Sequence, residues 1–236
     1  MRLRPKKKLG QNFLKNRKVL SFISSCVSNC SSVLEIGGGD GRLTNLLTEN
    51  KGYVYVVEVD NELCQKLFEL FNNRENIKVI CNDFLKVEAF PVSCIVGNIP
   101  YYLSSKILFK LVEWNFEKAL LMFQKEFAEK MVSSPGNSNY GRLSVTSQYY
   151  FEVKILRIVS RKDFFPSPKV DSAIVEIRKK REKNQDFDEI VRRLYSLKNK
   201  KIRNIIGVDV KGYAEKRPRH LSVMDIINIL RILKES

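Results

Sequence analysis

Asn98-Ile99-Pro100-Tyr101-Tyr102 puts a side-chain amide, a stiff proline and two aromatic rings into five consecutive residues. They follow an apolar run, Cys94-Ile95-Val96, which reads as a short buried strand stopped by Gly97 and Pro100. A loop of this make-up can accept hydrogen bonds from an amine and stack against a flat ring. It therefore suits a nucleobase; an ordinary turn carrying two core tyrosines is the other reading of these residues alone.

Three further groups have residue types suited to a nucleoside. Glu35-Ile36-Gly37-Gly38-Gly39-Asp40-Gly41 allows close backbone approach where a strand turns into a helix. It is not the dinucleotide fingerprint, because Arg42 stands where a small residue would be needed, and no Gly-Lys-Ser/Thr follows to make a phosphate cradle. Glu58 closes the next predicted strand and can accept from both hydroxyls of a ribose. Asp83, after Asn82, closes the third and can accept from an adenine amine.

The elements that must position these groups alternate. Strands are predicted at 33–36, 53–59, 77–81, 93–96 and 119–123, with helices at 42–50, 61–72, 104–113 and 125–132. Such alternation implies an α/β fold, a mostly parallel sheet covered by helices on both faces. Ligands bind such sheets outside the carboxyl ends of the strands, which collects Gly37–Gly41, Glu58, Asp83 and Asn98 along one edge. Residues 17–30 suit a helix, 144–159 and 172–178 read as two more strands, 178–184 as a charged linker, and 186–234 as helices.

The 236 residues can hold one medium domain and a small appendage. Net charge is +16 and unevenly spread: residues 1–18 carry eight basic and no acidic side chains, 19–177 carry 17 and 18, and 178–236 carry 17 and 8. Two basic flanks around a near-neutral body point to nucleic acid, since each neutralised phosphate releases counterions. No apolar run approaches the roughly 20 residues of a membrane span, and the N-terminus has no signal-like apolar segment, so a cytoplasmic protein is expected. Five cysteines without ligand spacing are expected to be small reduced core residues, with no metal site. The single histidine, His220, argues against Ser-His-Asp or Cys-His catalysis. In the basic N-terminal arm, Phe13 and Leu14 should dock on the body and bring Gln11 and Asn12 to a site there.

Together these residues resemble the S-adenosylmethionine-dependent adenine methyltransferases, and most closely the ribosomal RNA adenine dimethyltransferase family. The resemblance runs from Gly10-Gln11-Asn12-Phe13-Leu14 through Val33–Gly39, Asn82-Asp83, Asn98–Tyr101 and Phe164–Ser172 to Lys201-Ile202-Arg203-Asn204. It implies a Rossmann-like methyltransferase sheet with a small C-terminal helical domain, divided as arm 1–18, donor domain 19–180 and RNA-binding helices 181–236. It also implies S-adenosyl-L-methionine as cofactor, bound by Asn12, Leu14, Gly37, Glu58, Asp83 and Asn98. Gly38 stands where many relatives have proline, and Tyr102 where a smaller or polar residue is common, so the role of Tyr102 stays open.

The chemistry follows from the target. An adenine amine is a poor nucleophile, because its lone pair is delocalised into the ring. The Asn98 side-chain oxygen and the Ile99 carbonyl are suited to accept its two N–H bonds, with Pro100 fixing their aim. Tyr101 stacks on one face of the base, and Phe164, which matches the family's second aromatic, covers the other. The base must leave its stack to enter, which favours exposed loop adenosines. Lys200, Lys201 and Arg203 are expected to meet the RNA backbone, Lys200 and Arg203 from one helical face. The expected activity is dimethylation of adenosines in small-subunit ribosomal RNA during subunit assembly, by a monomer with no membrane partner. The alternatives are a large-subunit RNA methyltransferase of the antibiotic-resistance type and a non-catalytic RNA- or DNA-binding relative.

Overall fold

A computed structural model describes residues 5–50, 52–208, 210 and 212–235; the first four residues of the expected arm lie outside them. The described chain divides into two compact units, one of residues 1–127 and 154–179, the other of 128–153 and 180–236. The expected boundary near residue 180 is therefore one of three crossings. The segment 128–153, expected in the donor domain, groups with the C-terminal helices.

In the first unit the elements are β1 (Phe13–Leu14), α1 (Arg17–Cys26), β2 (Ser32–Ile36), α2 (Arg42–Thr48), β3 (Tyr53–Glu58), α3 (Asn61–Phe71), β4 (Ile77–Cys81), β5 (Cys94–Asn98), α4 (Ser104–Lys110) and β6 (Lys118–Gln124). Next along the chain come α5 (Lys125–Met131) and β7 (Phe151–Val159), which span the crossings between the units, with α6 (Arg142–Tyr150) between them in the second unit, and then β8 (Phe164–Phe165) and β9 (Ser172–Lys179) in the first. The seven-stranded sheet has the order β4-β3-β2-β5-β6-β9-β7. Neighbours from β4 to β6 are parallel and β9 is antiparallel to β6. The chain builds outward from β2 to β4, then returns to the other side of β2 with β5. That reversal is the topological switch point, where crevices open in such sheets.

The first unit's core is what a doubly covered parallel sheet requires. Leu34, Val56, Cys94, Ile95 and Val96 are fully buried on the central strands, and Val19, Ile23, Leu47 and Leu67 close over them from the helices. Asn16 starts α1 by accepting from the backbone of Lys18 and Val19, and Asp60 starts α3 by accepting from Glu62. As expected, Phe13 and Leu14 dock, pairing antiparallel with Phe165 and Phe164.

Two expectations are corrected here. Residues 144–150 are helical rather than extended. Val145, Thr146 and the aromatic run Tyr149-Tyr150-Phe151 have strand propensity, but Ser144 Oγ accepts from the Gly141 backbone and donates to the Lys130 carbonyl, fixing a helical start. Burial around nearly the whole helix erases the one-sided periodicity that would have marked it. The second correction concerns four of the five cysteines. Parallel registry sets Cys94 opposite Val33, within reach of Cys30, and the two form a disulfide with Cα atoms 6.1 Å apart. Cys64 of α3 and Cys81 of β4 form another at 5.7 Å, while Cys26 is free.

The second unit adds α7 (Gln185–Ser196), α8 (Ile202–Ile206) and α9 (Val223–Glu235). Tyr149 stacks on Phe187, and Val191, Leu194, Ile226 and Ile229 are buried. Ser222 caps α9 reciprocally: its hydroxyl accepts from the Asp225 N–H, and the Asp225 carboxylate accepts from the Ser222 N–H. Among the described residues no helix is long and apolar enough to cross a membrane.

Candidate active site

At the switch point an open cleft lies over the carboxyl ends of β2, β3, β4 and β5. Asn12, Gly37, Glu58, Asp83, Asn98, Pro100 and Tyr101 all line it. Leu14 lines an adjoining cavity, shared with Gly37 and Asn98 and floored by Glu35. Of the residues expected to bind the donor or the target base, the structure thus brings all but Leu14 and Phe164 to the cleft itself, with Leu14 in the cavity beside it.

The glycine loop follows from its neighbours. Gly37 has φ +79°, and nothing lies within 4 Å of where a Cβ would stand, so its backbone faces open space. At Gly38 a Cβ would come within 2.4 Å of Val56 Cγ1 and 2.8 Å of Leu67 Cδ1. A larger residue there needs a different partner on β3, which is the physical correlate of this chain's departure from proline.

Each acceptor is already oriented. Glu58 accepts from the Gly39 and Asp60 N–H groups, one on each oxygen, both at 2.9 Å. Burial pushes its pKa up, against those hydrogen bonds. Asp83, which lines the cleft, accepts from the Leu85 N–H through Oδ1 at 3.0 Å, and its Oδ2 has no hydrogen bond among the described residues. Asn98 Nδ2 donates to the Asn12 carbonyl at 2.6 Å. That bond commits the amide nitrogen and leaves Oδ1 as the acceptor for an incoming amine. The Ile99 N–H is held by the Met122 carbonyl at 3.1 Å. The Tyr101 hydroxyl is hydrogen-bonded to Ser172 Oγ at 2.8 Å, so its ring is fixed, and burial raises its pKa. Beneath the loop, Glu35 accepts from Thr44 Oγ1 at 2.6 Å. Burial pushes its pKa up to about 8.

Phe164 is placed differently. It is 1% exposed and packs in the core with Leu14 and Val159, not on the cleft, while its neighbour Phe165 is exposed. The predicted cation set also changes. Lys200 lies before α8, so Lys200 and Arg203 do not share a helical face. Lys201 and Arg203 both pair with Glu215, at 2.6 and 2.5 Å. Among the described residues no group of His, Cys, Asp and Glu could hold a metal ion.

Sequence reasoning missed two sets of groups. Lys6 and Asp60 meet at 2.7 Å across 54 residues of chain, a pairing no local pattern signals. Exposed Tyr102 lies against Gly10, where an added Cβ would meet its ring at 3.1 Å.

Residues 2–230 match the family model described as ribosomal RNA adenine dimethylase. The chain belongs to that family. Members transfer methyl groups from S-adenosyl-L-methionine to adenine in ribosomal RNA, and this chain is an enzyme of that kind. It is 42% identical over 176 residues to the ribosomal RNA small subunit methyltransferase A of Mesomycoplasma hyopneumoniae, covering 72% of this chain and 68% of that one. To the protein of the same name from Thermotoga neapolitana it is 36% identical, covering 99% and 94%. Among solved structures, a dimethyladenosine transferase from Plasmodium falciparum superposes with a TM-score of 0.85 at 29% identity, covering 94% and 98%. The 23S rRNA methyltransferase ErmE does so at 0.70 and 27%, covering 94% and 100%.

The cleft fits the family's cofactor on its own evidence. Gly37 leaves room for close approach, and Asp83 Oδ2 and the buried Glu58 carboxylate offer acceptors spaced along successive strand ends.

Proposed function

We propose that this chain dimethylates the exocyclic amines of adenosines in small-subunit ribosomal RNA as that subunit assembles. The observation that carries the reading is the bond from Asn98 Nδ2 to the Asn12 carbonyl, because it presets which atom of Asn98 meets the amine. When bound, S-adenosyl-L-methionine supplies a methyl group on a sulfonium centre. Glu58 would accept from its ribose hydroxyls and Asp83 from its adenine amine, with Asn12, Leu14 and Gly37 enclosing the rest.

Asn98 Oδ1 and the Ile99 carbonyl accept the two N–H bonds of the target amine. This draws its lone pair out of conjugation and toward the methyl carbon. Pro100 holds these acceptors in place before the substrate arrives, so little orientation entropy remains to be lost. Tyr101, anchored through Ser172, stacks on the base. Phe164 acts from behind, packing the β1–β8 ladder that carries Phe13 and Leu14. No side-chain base is required at the amine, since the methylated nitrogen is acidic enough to release its proton.

RNA is held by the second unit through Lys200, Lys201 and Arg203, with the basic arm as a further contact. The protein acts as a cytoplasmic monomer. The likeness to two proteins named ribosomal RNA small subunit methyltransferase A, together with the lower TM-score against the 23S enzyme, favours small-subunit RNA. Labelled methyl transfer tests this: assembling small subunits are expected to accept methyl groups on adenosine, read by mass spectrometry, and naked large-subunit RNA is not. The reverse pattern favours the large-subunit reading.

A further inference from the structure

The cleft is roofed by the protein's own arm, which is fastened at two points. One is the bond between Asn98 and the Asn12 carbonyl, on the catalytic side. The other lies on the ribose side, where a single carboxylate gathers the arm. Asp60 accepts from Lys6 Nζ at 2.7 Å on Oδ1 and from Gln11 Nε2 at 2.9 Å on Oδ2. The Gln11 side-chain oxygen in turn accepts from the Lys6 N–H at 2.8 Å, and Lys6 Nζ also reaches Glu62 at 3.1 Å. Between the two fastenings, Leu9, Gly10, Gln11 and Asn12 face the cleft.

This cluster differs from an ordinary surface ion pair, which contributes little. The Asp60 side chain is only 2% exposed, and its backbone N–H donates to Glu58 Oε1 at 2.9 Å. One residue therefore ties the roof to the carboxylate assigned to the ribose. Losing Lys6 leaves a buried carboxylate with only part of its compensation, which costs more than a solvated pair would.

We propose that Lys6 and Asp60 are positioning residues that form a latch. It holds residues 9–12 over the methyl donor and must part before the spent donor can leave. The inference rests on the cleft being the donor site. Lys6 touches neither the reacting atoms nor the target base in this scheme; it acts through the arm.

Stopped-flow release of S-adenosylhomocysteine from the full chain tests the latch, after calorimetry has established that the wild type binds it. Lys6→Met is expected to speed release roughly tenfold, as loss of a hydrogen bond to a charged group implies. Asp60→Asn keeps an oxygen to cap α3 and is expected to act similarly, with the double variant releasing no faster than the faster single one. Gln11→Ala, which leaves the charges alone, is expected to give a smaller acceleration of roughly threefold. Lys162→Met removes the same charge from an exposed position outside the arm and is expected to leave the rate unchanged. Release at the wild-type rate in Lys6→Met, an equal effect in Lys162→Met, or additive effects in the double variant each overturn the latch. Failure of the wild type to bind S-adenosylhomocysteine instead removes the donor-site reading and the latch with it.

Discussion

The cleft of the first unit and the cation cluster of the second solve different recognition problems. Around the cleft, Asn98 and Asp83 each have one side-chain atom committed to the protein and one left over, while Glu58 is held through both of its oxygens. Asn98 gives its nitrogen to Asn12, and Asp83 gives Oδ1 to Leu85. In the second unit Lys201 and Arg203 point at the same Glu215, so two of the three proposed RNA contacts are already partly neutralised. A preset dipole serves chemistry, where direction decides the rate. A shared, exposed acid serves exchangeable charge: phosphate can displace Glu215 without any buried group being stranded.

That contrast can be broken at its strongest point first. Asn98→Ala is expected to lower the rate constant for methyl transfer by about 10²–10³ or more, the usual cost of removing a preorganised group, while RNA binding stays nearly intact. Full methylation by this variant sinks the assigned role. Next, Glu58→Gln is expected to weaken donor binding by roughly 10- to 100-fold in calorimetry, as loss of a charged acceptor implies. An unchanged affinity removes Glu58 from the site.

The third test concerns pH. Burial raises the folded-state pKa of Glu35 from 4.5 to about 8. The folded state therefore binds more protons than the unfolded one between those values, and stability falls as pH rises through that window. Glu35→Gln is expected to abolish this slope, matching the wild type near the low end and melting several degrees higher at its upper end. Parallel melting curves across the window dispose of the idea. The smallest effect belongs to the second unit. Glu215→Ala is expected to tighten RNA binding a few-fold at low salt and to steepen its salt dependence, because Lys201 and Arg203 then release more counterions on binding. A flat response means that those side chains do not meet phosphate.

The same contrast explains what could be read from the sequence. Strand-end residues were legible, since their roles follow from alternation and from the short steps between strands; Gly37, Glu58, Asp83 and Asn98 converge as that pattern demands. The docking of Phe13 and Leu14 was legible because an apolar pair is out of place in a basic arm. Tertiary partners left no such trace. Glu215 lies 12 residues from Arg203 in an irregular stretch, and Lys6 finds Asp60 only once the arm folds back. Phe164 belonged to a recognisable motif, yet burial against Leu14 rather than motif membership sets where its ring lies. Helix α6 was misread because its residues are buried on nearly all sides, so periodicity said nothing.

The excursion of residues 128–153 into the second unit has a consequence for the nascent chain. Tyr149 and Tyr150 emerge early during synthesis, but Phe187 and Asp188, which complete their surroundings, follow about forty residues later, and Leu221, the acceptor for the Tyr140 hydroxyl, later still. The middle of the chain must wait for its end before the second unit can close. A single truncation near residue 180 therefore does not release a tidy catalytic fragment; it leaves helix α6 and its tyrosines without the partners that bury them.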